Sequence, residues 1–595
     1  MKFPRMFKYL WITILSFRGV IFCFLYAALL ALLPIMIPGK PAKGAYVLLL
    51  MSGLWVTEVI PIYVTALVPL VFGPLLGIAS ASVISSSYAK DTNILFFGGL
   101  MMACAIENNY IHKRLAITIL KIVGSDPKLL MLGFMIPSWF LSMWMSNTAT
   151  TSMMITIVDP LLTELMKADE EDEKENANSI ELPVREGKYD LNNEDEYQPP
   201  DTEFVQYHHG PITPIVSNSQ SNLKLMSVGF SLSIAYASSV GGVATITGTP
   251  PNSILQGTVL TRYGDSTGLN FGTWMCYAFP ISAFMFVFIW LWLIILFIGP
   301  KSLCTLVQST KKKEQLARIL EAEQQKLGSV KYCEVMSALL FLLLTILWMT
   351  RNIGSSGWEK LFANPSEPES VKYISDSTPA ILLTILVMIL PASNPVKLWR
   401  HWKYCYETKT DPNPEITRTL LPWKVALEKF PWGVFLVIGG GFALATIMKN
   451  SGLTSIIGEF LGLHLQSIPK TLLNIVCSLT AATMTEFSSN SATASIILPI
   501  VYGLCEGLGI HPFLVAFPVT VATSYSFALP TATPPNTIVF AKGKVQVKHM
   551  LLAGIPMNIV GCLVAIGAIS SYSVPLFGLN SVPEWVKTVT NATNV

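Results

Sequence analysis

The chain has 595 residues, of which 52% are hydrophobic and 13% charged, with a mean hydropathy of +0.52 and a formal net charge of +3. That balance excludes a string of soluble domains, whose surfaces carry more charge, and it offers no basic footprint for nucleic acid. A lipid bilayer is the solvent this composition fits, so apolar runs near the roughly 20 residues that cross hydrocarbon read as spans.

In chain order, Lys2, Arg5 and Lys8 precede an apolar run from Val20 to Pro38 with no prompt small-residue cleavage site. The start therefore reads as an uncleaved first span with the N-terminus inside. A second long apolar run extends from Gly44 to Gly77. Segments 1–125 form a first group of helices, and segment 126–166 reads as a hairpin that enters and leaves the membrane on one side. Segment 167–222 is acidic and apolar-poor, with Asp169 to Glu173 nearly unbroken, and is expected as a disordered cytoplasmic loop.

Segment 223–299 holds an interrupted helix and a following span, Phe271 to Gly299. Lys311, Lys312, Lys313, Arg318 and Lys326 make segment 300–334 basic, hence cytoplasmic, and the stretch from Lys397 to Lys429 is basic in the same way. The loop from Arg351 to Ser377 between them is poorer in Lys and Arg and should face outside, flanked by spans at Val335 to Thr350 and Thr378 to Leu390. A second group of helices fills 335–465, a second hairpin 466–505, and a second interrupted helix with the last span 506–580, including Met550 to Phe577. The tail 581–595, expected outside, carries an Asn591-Ala592-Thr593 glycosylation sequon that an outside C-terminus would expose. With the N-terminus inside, the number of crossings is then odd, and about eleven transmembrane helices plus two re-entrant hairpins satisfy the count.

Two short motifs occur twice in the same order. Ser146-Asn147-Thr148-Ala149-Thr150 is answered by Ser489-Asn490-Ser491-Ala492-Thr493, and Gly248-Thr249-Pro250-Pro251-Asn252 by Ala532-Thr533-Pro534-Pro535-Asn536. Ordered recurrence of both points to an internal duplication. Small polar residues also let membrane helices pack closely, and prolines kink helices without any ligand. Two different motifs recurring together argue for a site instead.

The Ser-Asn stretches lie within apolar surroundings, where backbone that turns must line a wet cavity or bind ions. The Pro-Pro pairs interrupt a helix, which is expected to resume at or just beyond Asn252 and Asn536. The interruption leaves free carbonyls for a cation and free N-H groups for an anion. No Arg or Lys lies inside the four motifs, so the countercharge for an anion must come from elsewhere, and bound Na⁺ is the natural source. This favours cation symport over anion exchange.

Other features have plainer readings. Gly98-Gly99 and Gly439-Gly440-Gly441 suit helix packing, and Trp139, Trp144, Trp290 and Trp292 suit anchors or core positions. Glu58, Glu107 and Glu486, in or beside apolar runs, are open between a functional and a structural role. The nine cysteines show no C-x-x-C spacing, which argues against a zinc site or disulfide framework. An enzyme is disfavoured, since H-E-x-x-H, P-loop and G-x-S-x-G patterns are all missing.

The stretches Leu141 to Thr150, Gly241 to Asn252, Thr485 to Asn490 and Leu529 to Asn536, with His112-Lys113-Arg114-Leu115-Ala116, resemble the divalent anion/sodium symporter family, solute carrier family 13. The resemblance spans nearly the whole chain outside the acidic loop. It implies an all-α polytopic membrane protein with two inverted repeats, each with a hairpin, and a homodimer of protomers divided into scaffold and elevator-type transport domains. Segments 1–125 and 335–465 would form the scaffold, and the hairpins and broken helices the transport domain. One sodium site would use Ser142, Ser146, Asn147 and the Gly248 carbonyl, and a second Thr485, Ser488, Asn490 and the Ala532 carbonyl. Substrate carboxylates would sit between Ser146-Asn147-Thr148 and Ser489-Asn490-Ser491, beside Pro251 and Pro535.

Ser491 departs from the family's Ser-Asn-Thr but keeps the hydroxyl. Gly248 to Asn252 resembles the di- and tricarboxylate branch more than the sulfate branch. The resemblance thus implies sodium-coupled uptake of succinate, malate or citrate at the plasma membrane, with sulfate transport, an exchanger or a channel as alternatives.

Overall fold

The computed structural model describes residues 17–123, 126–160, 216–299, 310–352, 357–363 and 373–587. The basic N-terminal residues, most of the acidic segment and the Asn591 sequon lie outside these. The described residues are largely α-helical, with an isolated antiparallel bridge between Pro391 and Thr419.

Length and composition identify six described helices able to cross a membrane: Arg18–Met36, Leu225–Val243, Phe271–Phe297, Tyr332–Thr350, Trp432–Asn450 and Val547–Ser570. The pair Ala81–Asn108 and Ile111–Val123, bent by 65°, would make a seventh. The expected count of about eleven is larger, and shorter apolar helices stand beside the long ones, such as Ile62–Leu75, Ser377–Ile389, Leu453–Leu465 and Phe513–Thr523. The run from Gly44 to Gly77 is not a single rod, since Lys40–Thr57 ends at Glu58 in the left-handed region (φ 48°) and short helices at Ile62–Thr65 and Val68–Leu75 follow.

Local chemistry sets these boundaries. Asn270 and Thr273 form a reciprocal capping box, each side chain accepting from the other's backbone N-H, and start a 27-residue helix about 40 Å long. At the Pro-Pro pairs the structure corrects the sequence expectation. The helices resume at Pro250 and Pro534, not at the asparagines, because the first turn of a helix needs no N-H from its prolines.

Burial separates the helices by role. Arg18–Met36 has no buried residue and stands at the periphery, whereas the window Leu225–Val243 is 94% buried and runs through the protein interior. Trp432–Asn450 packs on Lys40–Thr57 in one hydrophobic cluster, where Tyr46, Met51 and Trp55 meet Leu444, Ile447 and Met448. Its other faces meet Pro250–Tyr263 and Asn490–Gly507. Gly441 lets Trp432–Asn450 and Asn490–Gly507 approach closely, since a Cβ there would press on the Ser495 side chain. Gly458 and Gly462 of Leu453–Leu465 lie against Gly503 and Gly507 of Asn490–Gly507, so that the two backbones touch, as small residues four apart allow in membranes.

Candidate functional site

The first hairpin consists of Pro127–Ser142, begun by the Asp126 side chain, and a helix over 147–160. At its tip the Ser146 hydroxyl accepts from Ala149 N at 3.2 Å, which starts the second arm. Ser142 Oγ donates to Asn147 Oδ1 at 2.6 Å. Gly242, at the end of the interrupted helix, faces the Asn147 amide. A Cβ at Gly248 would stand 2.9 Å from the Met143 carbonyl and overlap that of Gly242. Glycine at 242 and 248 therefore lets the backbone of the break approach the Asn147 amide on one side and the Met143 carbonyl on the other.

The second hairpin, Lys470–Phe487 and Asn490–Gly507, repeats these bonds. Ser489 Oγ accepts from Ala492 N at 3.3 Å, and Thr485 Oγ1 lies 2.7 Å from Asn490 Oδ1. Thr485 is also 2.8 Å from the Thr523 carbonyl, and Ser526 Oγ donates to Asn490 Oδ1 at 3.1 Å. A threonine has one proton, so it serves one of these acceptors at a time, and Ser526 still donates to Asn490 Oδ1 when Thr485 turns to the Thr523 carbonyl. The Ser488 hydroxyl, buried behind the tip, has no hydrogen-bond partner among the described residues.

Each interrupted helix is held by the asparagine of its Pro-Pro motif. Asn252 Nδ2 donates to the carbonyls of Thr245 at 2.7 Å, Val243 at 3.1 Å and Gly242 at 3.3 Å, and Asn536 Nδ2 to those of Leu529 at 2.9 Å and Ser526 at 2.8 Å. The residues before the prolines match as well, Thr249 at φ −145°, ψ 143° and Thr533 at φ −143°, ψ 151°. Both are extended, as a residue before proline prefers.

Glu486 secures the second interruption. Its buried carboxylate accepts from Ala528 N at 3.0 Å, Leu529 N at 2.9 Å and Asn558 Nδ2 at 2.6 Å. Glu107 instead pairs with Lys429 at 2.7 Å, and Glu58 ends a helix. Trp139, Trp290 and Trp292 donate their ring N-H groups to Ser282, Lys128 and Ala553, positions within helix packing.

All four motifs border one cavity of about 180 Å³. Ser146, Asn147 and Thr148 line it with Ser489, Asn490 and Ser491, and the broken helices add residues 247–250 and 532–535. Pro535 is thus at the cavity, while Pro251 is buried in the helix and outside the lining. Gly248 and Ala532 are at its edge, and Ser142, Thr485 and Ser488 lie behind the tips. No ionisable side chain is among the lining residues. The rest of the wall is apolar, built from Ile62, Phe96, Leu100, Pro431 and Val434. Sequence reasoning missed that wall, because nothing distinguishes a cavity-facing Phe or Val from a lipid-facing one. It also missed the holding role of Asn252 and Asn536, though their recurrence after each Pro-Pro pair was a usable signal.

The arrangement offers hydroxyl, amide and carbonyl oxygens to a hard cation, and hydroxyls, amides and helix N-termini to an anion. The family model described as sodium:sulfate symporter transmembrane region matches residues 14–579. Solute carrier family 13 member 2 of Homo sapiens is 38% identical over 98% of this chain and 97% of its own length. The Na(+)/citrate cotransporter and the Na(+)/dicarboxylate cotransporter 3 of Rattus norvegicus are each 36% identical, over 96% and 95% of this chain and 97% and 94% of their own lengths.

Proposed function

Because this chain belongs to the sodium:sulfate symporter family of multi-pass membrane proteins, we propose that it carries di- or tricarboxylates of the succinate, malate and citrate class by coupling them to Na⁺. One observation carries the reading: the two Ser-Asn tips and two Pro-Pro breaks border a single cavity without a cationic side chain. A doubly charged anion there needs positive charge, and Na⁺ held among neighbouring oxygens supplies it. The names of the citrate and dicarboxylate cotransporters support carboxylate cargo over sulfate.

In this reading Na⁺ is cargo, not a resident cofactor. Ser142, Ser146, Asn147 and the Gly248 carbonyl hold one ion, and Thr485, Ser488, Asn490 and the Ala532 carbonyl another. The side chains of Ser146 to Thr148 and Ser489 to Ser491, with Pro535, meet the carboxylates. The hairpins and broken helices move as an elevator against the scaffold helices, in a homodimer at the plasma membrane with its N-terminus inside and C-terminus outside. Uptake of radiolabelled succinate into proteoliposomes tests the coupling. A Na⁺ gradient should drive accumulation, unlabelled citrate should compete better than sulfate, and uptake indifferent to Na⁺ would overturn the proposal.

A further inference from the structure

The surface carries a helix whose pattern the transport site does not use. Beyond Ser377–Ile389 the chain leaves at Pro391 and returns at Thr419, closed by Ala392 N to Arg418 O and Leu420 N to Leu390 O, each 2.9 Å. The excursion is thereby pinned to the end of an apolar helix. It contains Pro395–Thr408, capped by Asn394 through Val396 N and ended by Lys409 in the left-handed region. Cys405 is buried on its inner side, and His401 there accepts from Asn413 N at 3.0 Å.

At 100° per residue, Trp399, Trp402 and Tyr406 form one stripe of the remaining surface, and Lys397, Arg400 and Lys403 lie on the side beyond it, with the exposed Val396 and Tyr404 between them. The aromatic stripe is fully presented: Trp399 is 63% exposed, Trp402 64% and Tyr406 77%. Trp402 and Tyr406 stack at 6.0 Å, and Lys403 Nζ stands 5.8 Å over the Trp399 ring. Glu407, 3.8 Å from Lys403, is the helix's only carboxylate against three cations. Trp423 and Trp432, just past the return, are also exposed.

We infer that Pro395–Thr408 lies flat on the bilayer surface and binds anionic phospholipid headgroups. An aromatic stripe beside a basic one suits the boundary between acyl chains and phosphates: rings enter the interface and Lys and Arg reach the charged layer. The pinning at residue 391 sets the depth, because the apolar helix Ser377–Ile389 ends there. The inference rests on the membrane architecture and not on the cargo.

The test uses the full chain with benzoylphenylalanine in place of Trp402, reconstituted in phosphatidylcholine vesicles with or without phosphatidylserine and photolysed. Lipid adducts are expected, enriched in phosphatidylserine over its share of the bilayer. Changing Lys397, Arg400 and Lys403 to Gln should abolish the enrichment while phosphatidylcholine adducts remain. Free phosphoserine should not compete, and competition by it would mean a soluble anion site instead. Cross-links to a second protomer, or no lipid adducts, would overturn the inference. Because the readout is covalent lipid, its failure is distinguishable from failure of succinate uptake.

Discussion

Asn252 and Asn536 hold their respective helix breaks in the same way, each side-chain amide donating to the carbonyls ten and seven residues earlier, and Asn252 also reaching the Val243 carbonyl at 3.1 Å. Their Oδ1 atoms are both buried without a partner among the described residues. A break at this depth exposes carbonyls that only such a donor, a cation or water can satisfy.

Replacing Asn252 or Asn536 by Leu should therefore loosen one cradle each. Each loses two buried bonds worth about 1 kcal/mol apiece, so the Na⁺ concentration for half-maximal uptake should rise on the order of tenfold or more. Sodium titration of succinate uptake checks this, and an unchanged curve would mean the asparagines do not shape the ion site.

Asn147→Ala and Asn490→Ala should each abolish uptake with the protein still at the cell surface. Ser142→Ala and Thr485→Ala, which remove one donor to those amides, should be milder, with about fivefold weaker sodium dependence for a loss of about 1 kcal/mol. Surface biotinylation beside uptake separates the two classes.

Glu486→Ala should act on stability as well as on transport. The carboxylate is the acceptor for two backbone N-H groups and Asn558, and charge-assisted bonds contribute about 1.5–3 kcal/mol each. The purified variant should unfold at lower temperature than wild type, and Glu486→Gln, which keeps one acceptor oxygen, should fall between. Equal unfolding temperatures for all three would refute the assignment.

Arg262 and Glu506 form a buried pair bridging Pro250–Tyr263 and Asn490–Gly507, with Arg262 Nε 2.8 Å from the carboxylate and Tyr263 OH also 2.8 Å from it. Arg262→Met should cost about 3–5 kcal/mol by stranding the Glu506 charge, and Arg262→Met with Glu506→Met should recover much of that. Thermal unfolding of the four proteins in the cycle measures it; a double variant no better than the single would place the cost in lost packing.

Gly503→Val should separate the two helices that touch through Gly458 and Gly503. A Cβ at Gly503 already overlaps the Thr454 carbonyl, so the larger side chain cannot be absorbed by a rotamer change. Reduced yield of folded protein in detergent is expected, while Gly567→Val, which meets open space, should match wild type.

Composition, run length and the twice-used Ser-Asn and Pro-Pro motifs determined the class of protein, the positions of the breaks and the residue types at the site. These are local properties: apolar length fixes membrane residence, and proline fixes where a helix is interrupted. Even there a detail escaped, since helices start at Pro250 and Pro534, which tolerate the first turn. That the four motifs border one cavity, that Glu486 is committed to backbone N-H groups while Glu107 pairs with Lys429, and that Phe96, Leu100 and Val434 supply its apolar wall, only the tertiary structure decided. Those relations join residues from tens to hundreds of positions apart, and among apolar membrane helices the packing of their faces, not any pattern along one helix, selects which of them meet.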